Sequence, residues 1–194
     1  MNISSYERNE LLKAWIAVSF AFSVMLSGGI VGIFSGRILT FFVLSALTVG
    51  VGFLLHELAH KMLAIKYGCW AEFRSDNKML LFMIFLSFFG FVFAAPGAVI
   101  IHGFVDKEKN GKISLVGPLT NILLALLFLM AGLIVGCAVG SMLNYGFLIN
   151  SWLGLFNMLP FGAFDGAKVF LWNKIIFGIT IGVAAVLVFV ASAF

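Results

Sequence analysis

From Ile38 to Leu55 no side chain carries a charge, and the apolar run continues through His56-Glu57-Leu58-Ala59-His60 to about Ile65. A charge-free stretch of that length can cross the hydrocarbon core of a bilayer as a helix, because a helix satisfies its own backbone hydrogen bonds where no water is present. On such a helix His56 and His60 stand four residues apart on one face, where two imidazoles can share one metal ion. Glu57 lies about 100° round from His56, near the ion but free to move a proton. HExxH is short and recurs by chance in soluble proteins. Within a membrane chance is a weaker explanation, since a single charge at the helix centre costs about 2.5–3.5 kcal/mol on insertion scales. The pattern is that of a zinc hydrolase, with the histidines toward the Lys61 end of the span.

Composition agrees with a membrane setting. Of the 194 residues 62% are hydrophobic and only 10% charged, which excludes a soluble monomer and marks an integral membrane protein. The chain is the size of one compact bundle, and no polar stretch is long enough for a second, water-soluble domain, so residues 1–194 are expected to form a single domain. The net charge of +4 arises from basic residues placed singly between apolar segments. That is a topology signal, and no nucleic-acid partner is expected. Cys69 and Cys137 lie in different segments without CxxC spacing, which indicates buried thiols and no disulfide framework or thiolate zinc site.

The fold class expected is an all-α membrane bundle of about five transmembrane helices, with a re-entrant or short β segment near residues 70–105. Residues 1–13 are polar, and Ala14–Phe34 forms the first span, too long for the apolar region of a cleaved signal peptide. Gly28, Gly32 and Gly36 recur every four residues, as do Gly132, Gly136 and Gly140. Such small-residue stripes let helices approach closely and offer a surface for self-association. The second span is the HExxH helix. Trp70-Ala71-Glu72-Phe73-Arg74 alternates apolar and polar residues and reads as a short strand. Met79–Gly90 is too short to span alone, and its continuation through Phe91–Ile101 is β-branched, aromatic and broken by Pro96-Gly97, which favours extended chain around a turn. Further spans are expected at 113–139, 142–159 and from about Val169 to Phe194.

An open zinc site needs a third protein ligand. Among the remaining acids only Asp165 directly follows a spanning segment outside a mixed-charge turn; His102 is the other contender. For Asp165 to reach the histidines, the chain must cross the membrane an even number of times after Lys61. The helices at 113–139 and 142–159 supply two crossings, so 79–101 must enter and leave on one face. Charge supports this topology. It places Arg8, Lys13, Lys61, Lys66, Arg74, Lys78, Lys107, Lys109, Lys112, Lys168 and Lys174 on one side and only Arg37 on the other, which accounts for all 12 basic residues. A bias of that size puts the N-terminus and the zinc site on the cytoplasmic side. The expected location is the cell membrane of a prokaryote.

Three motifs follow in order: His56-Glu57-Leu58-Ala59-His60, Gly117-Pro118-Leu119-Thr120-Asn121, and Asn157-Met158-Leu159-Pro160-Phe161-Gly162-Ala163-Phe164-Asp165-Gly166. With the HExxH, GPxxN and NxxPxxxxDG patterns they match, the chain resembles the site-2 protease family of intramembrane zinc metalloproteases over roughly residues 38–170. The resemblance implies one zinc ion held by His56, His60 and Asp165, Glu57 as catalytic acid/base, and Asn121 and Asn157 as polar contacts for substrate or the developing oxyanion. It implies a transmembrane protein as substrate. The PDZ and CBS domains that members often carry have no counterpart in this sequence, and the apolar 79–90 segment widens a region that in the family is mainly a membrane-associated sheet.

The competing reading is a metal transporter or a catalytically inactive metal-binding scaffold. A transporter with alternating access commonly shows inverted repeats, and the sequence offers no convincing pair of them. An acid beside the first histidine favours chemistry, since transport needs ligands and no general base.

Overall fold

The computed structural model describes residues 3–92, 96–135 and 140–193. The chain divides into two compact units, 1–54 with 71–100 and 55–70 with 101–194, so the division cuts the HExxH helix between Leu54 and Leu55.

The first unit begins with α1, Ser5–Ser27. Ser4 caps it by accepting a hydrogen bond from the Glu7 amide at 3.0 Å, which starts the helix well before the polar-to-apolar boundary near Ala14. It ends at Gly28, whose φ of +95° suits a residue without Cβ. The expected first span therefore begins and ends earlier than its hydropathy alone indicates. The stripe of Gly28, Gly32 and Gly36 is not a helix face: Gly28 and Gly36 have positive φ and Gly32 opens a short 3-10 turn, Gly32–Ser35. A continuous helix follows, made of α2, Ile38–Ser45, a π turn at Ala46–Gly50, and α3, Val51–Lys66. The Trp15 indole donates to the Ala46 carbonyl at 3.2 Å, and a Cβ at Gly50 would come within 2.8 Å of Ser19 Oγ. α1 thus packs directly on the π turn, which lies roughly two turns before His56 along the helix.

Strand β1, Trp70–Ser75, and β2, Gly97–His102, form a two-stranded sheet. Trp70 stacks near His102 and Gly97 lies against the Arg74 carbonyl, so the strands run antiparallel. The alternating segment at 70–74 is a strand as its pattern indicates. Between the strands lies α4, Asn77–Ser87, 11 residues capped by Asp76 and too short for a simple crossing. Phe93, Ala94 and Ala95, inside the stretch expected to be extended, lie outside the described residues.

The second unit contains the C-terminal part of α3, then α5, Lys107–Val135, α6, Gly140–Asn157, α7, Asp165–Trp172, and α8, Lys174–Ala191. α6 returns antiparallel along α5, since Gly146 packs on Phe128 while Gly154, two turns later, packs on Pro118 and Ile122. Ile122, Ala125 and Phe147 meet Ala184, Leu187 and Ala191 of α8 in one apolar core. The second glycine stripe is broken as well. Gly132 lies on α5 and Gly140 begins α6, while Gly136 and Cys137 fall outside the described residues.

Among the described residues four helices are long and apolar enough to cross a membrane: Ser5–Ser27, Ile38–Lys66, Lys107–Val135 and Lys174–Ala191. Five were expected. The difference is α6, helical over the expected fourth span but carrying Asn144, Asn150 and Asn157, whose amides lower its hydropathy. The last expected span also divides, because Asn173 is extended and caps α8 by accepting from the Ile175 and Ile176 amides, which ends the short α7 at Trp172. Leu127, Leu133 and Ile134 on α5 and Ile175, Ile179, Val186 and Phe189 on α8 are exposed, a distribution that suits lipid as the surrounding solvent and marks a membrane protein.

Candidate metal centre

Three acceptor atoms converge in the second unit. His60 Nε2 lies 2.9 Å from His56 Nε2, and Asp165 Oδ2 lies 3.2 Å from the first-motif His56 Nε2 and 3.0 Å from His60 Nε2. Among the described residues this is the cluster of His, Cys, Asp and Glu side chains able to hold a metal ion, its ligand atoms all within 4.8 Å of one another. His56 and His60 are buried.

The outer nitrogens of both rings are occupied. His60 Nδ1 lies 2.7 Å from the Ile113 carbonyl, which can only accept, so Nδ1 carries the proton and Nε2 presents its lone pair inward. His56 Nδ1 lies 2.6 Å from Asn121 Oδ1. A second hydrogen bond joins Asn121 Nδ2 to Asn150 Oδ1 at 3.2 Å, and Asn150 Nδ2 donates to the Gly146 carbonyl at 2.9 Å. The amides of Asn121 and Asn150 are both fully buried.

Local chain geometry explains the motifs. Gly117 lies against the Nε2 atoms, and a Cβ there would come within 2.6 Å of His56 Nε2, in the space an ion would need. One helical turn on, Asn121 reaches His56 Nδ1. The glycine and the asparagine of the Gly117–Asn121 motif thus serve one imidazole pair from the same face of α5. In the last motif Asn157 ends α6, with its Nδ2 donating to the Leu153 carbonyl at 3.0 Å. Pro160 follows three residues past the end of the helix, where it cannot continue it. Gly162 turns the chain with φ +61°, and Gly166 packs directly on the Met158 carbonyl, where no Cβ fits. That closed loop places Asp165 at the start of α7. Lys168, one turn further along, lies 3.6 Å from Asp165 Oδ1, leaving Oδ2 to face the histidines.

Glu57 is buried, as its place beside His56 requires. His102 sits against the Trp70 ring at a centroid distance of 5.1 Å and is not in the cluster. Asn150, Gly117 and the Ile113 carbonyl were not identified as site groups from the sequence. Asn150 carries a signal that could have found it, a lone amide in mid-helix among apolar neighbours; a main-chain carbonyl carries none.

No family model matches the chain, and no solved structure matches it. A protein of Methanocaldococcus jannaschii named "Putative zinc metalloprotease" is 40% identical over 188 residues, an alignment covering 92% of each chain.

Proposed function

Since the chain belongs to the same family as this Methanocaldococcus metalloprotease, we propose that it is an intramembrane zinc metalloendopeptidase of the site-2 protease type. The observation that carries this reading is the convergence of His56 Nε2, His60 Nε2 and Asp165 Oδ2 with both imidazole Nδ1 atoms already bonded to the protein. Neutral imidazoles held in that tautomer, a carboxylate, and a glycine that leaves room beside them are a donor set suited to zinc with an open position. Bound there, zinc would supply Lewis acidity and lower the pKa of water toward neutrality.

The remaining steps fall to the chain's own groups. The Glu57 carboxylate accepts a proton from the attacking water and returns it to the nitrogen of the leaving amine. Gly117 leaves the space beside the two Nε2 atoms that an ion would need. Asn157 lies at the end of α6, where a polar contact to substrate is available.

The substrate is a transmembrane segment, whose peptide carbonyls are bonded within their own helix and must be freed locally. An unwound stretch can be held by adding a strand to a sheet edge. One side of β1 is already engaged, because the amides of Phe73 and Ser75 donate to Glu7 and Glu10. The outer edge of β2 is therefore the edge we assign to this role. The N-terminus and the metal centre face the cytoplasm in a prokaryotic cell membrane. Labelling of intact cells from outside is expected to modify cysteines introduced at Gly36 or Ser141 and to spare those at Asn110 or Asn173; the opposite pattern overturns this orientation.

The test of function is incubation of the purified protein, in lipid, with a panel of single-span peptides with and without chelator. Cleavage is expected to be chelator-sensitive and fastest for peptides with Gly or Pro near the cytoplasmic end, whose internal hydrogen bonds are already weakened. Failure of the zinc-loaded protein to cut any of them would favour a scaffold or transporter.

A further inference from the structure

We propose that Asn150 is a positioning residue of the metal centre: acting through Asn121, it decides which ring nitrogen of His56 is left to bind the ion. The inference rests on the metal-binding reading above and adds a residue outside all three motifs.

Donors and acceptors must alternate along this chain of hydrogen bonds. The Gly146 carbonyl can only accept, so the Asn150 side chain must turn its Nδ2 toward it, at 2.9 Å. Asn150 Oδ1 then faces Asn121 at 3.2 Å and receives its Nδ2. With its amide nitrogen so engaged, Asn121 presents Oδ1 to His56 Nδ1 at 2.6 Å. An amide oxygen cannot donate, so Nδ1 of His56 carries the hydrogen and Nε2 keeps its lone pair for the ion. Reversing either amide would set two donors or two acceptors face to face at a site where Asn121 and Asn150 are both fully buried. No water at the surface can relieve such a mismatch. The relay thus fixes the ring's tautomer from a main-chain carbonyl of α6, whereas His60 obtains the same result directly from the Ile113 carbonyl.

The test measures zinc affinity by competition with a chelator in the full-length, lipid-reconstituted protein. Asn150→Leu removes the acceptor that holds Asn121 in register, and affinity is expected to fall roughly 10- to 100-fold, the usual range for loss of a partner behind a ligand. Adding Asn121→Asp to Asn150→Leu is expected to restore affinity to within a few-fold. A carboxylate presents an oxygen to His56 however it is rotated, so it no longer needs Asn150. A purely structural role for Asn150 would not be rescued in this way. Should Asn150→Leu fail to fold, Asn150→Asp keeps an acceptor for Asn121 while giving up the bond to Gly146, and it is expected to retain near-normal affinity.

The relay is overturned if Asn150→Leu binds zinc as the unaltered chain does, if Asn121→Asp gives no rescue, or if Asn150→Asp loses zinc severely. The metal reading fails separately. Zinc that survives both His56→Ala and Asp165→Ala, or an unaltered chain that retains none, removes that reading and the relay with it. Zinc that requires His56 and Asp165 but ignores Asn150 removes the relay alone.

Discussion

Each unit of the molecule buries acids beneath apolar helices, and they are satisfied in opposite ways. In the first, Glu7 accepts from the Phe73 amide at 3.0 Å, while Glu10 accepts from the Ser75 amide at 3.1 Å and from the Ser75 hydroxyl. The Ser4 hydroxyl donates to Glu72 at 2.8 Å. These carboxylates meet donors of the chain itself, and they fasten β1 to α1. In the second, Asp165 Oδ2 and two imidazole Nε2 atoms point at one another, and the nitrogens behind them are committed to other acceptors. Three lone pairs aimed at one small volume call for a cation. Buried polarity matched by the chain's own donors is structure, whereas buried polarity that converges on itself is a site.

The largest effect expected tests whether Glu57 belongs with the second kind. Glu57→Gln keeps the side chain's size and removes its basicity, so peptide cleavage should fall by about 10²–10⁴, the range for a lost acid/base, while zinc content measured by metal analysis stays unchanged. Uncut substrate should accumulate on this variant. Unaltered cleavage would place Glu57 among the structural acids.

Asp165→Ala should remove zinc, since two imidazoles alone make a poor open site. Full zinc occupancy in that variant, with loss in His102→Ala, would break the comparison by making Asp165 a structural acid like Glu7. Gly117→Ala acts on the same centre from the opposite wall. Its Cβ would press on both Nε2 atoms, so zinc affinity is expected to drop at least about tenfold, as for a disturbed ligand set, with far-UV circular dichroism little changed.

Smaller effects belong to the first unit. Glu7→Ala leaves the buried Phe73 amide without its acceptor and should cost about 1–3 kcal/mol of stability, read as a lower thermal midpoint, with zinc content unaffected. Glu7→Gln keeps an oxygen for that amide and should cost less, about 1 kcal/mol or under. Loss of zinc on either change would show that the acids of α1 serve more than β1.

The sequence by itself determined the class of molecule and singled out the three side chains that the structure draws together. The charge-free run into His56 required a membrane helix, because lipid leaves the backbone no other partner. The i, i+4 spacing of the histidines is a property of any helix, and the loop from Asn157 to Asp165 announces itself through Pro160, Gly162 and Gly166. What local pattern misjudged were the ends and the count of helices. Ser4 starts α1 among polar residues because a cap outweighs hydropathy there, and α6 fell short of a fifth apolar span because its asparagines serve contacts that hydropathy does not register.

Only tertiary structure decided which groups stand behind the two imidazoles. Ile113 contributes a carbonyl that every residue type carries, and Asn150 matters only because α6 lies antiparallel to α5 at the depth of Asn121. Pairings of this kind depend on the distance and register between helices far apart in the chain. Periodicity within one helix fixes which face a residue occupies, but it does not fix what that face will meet.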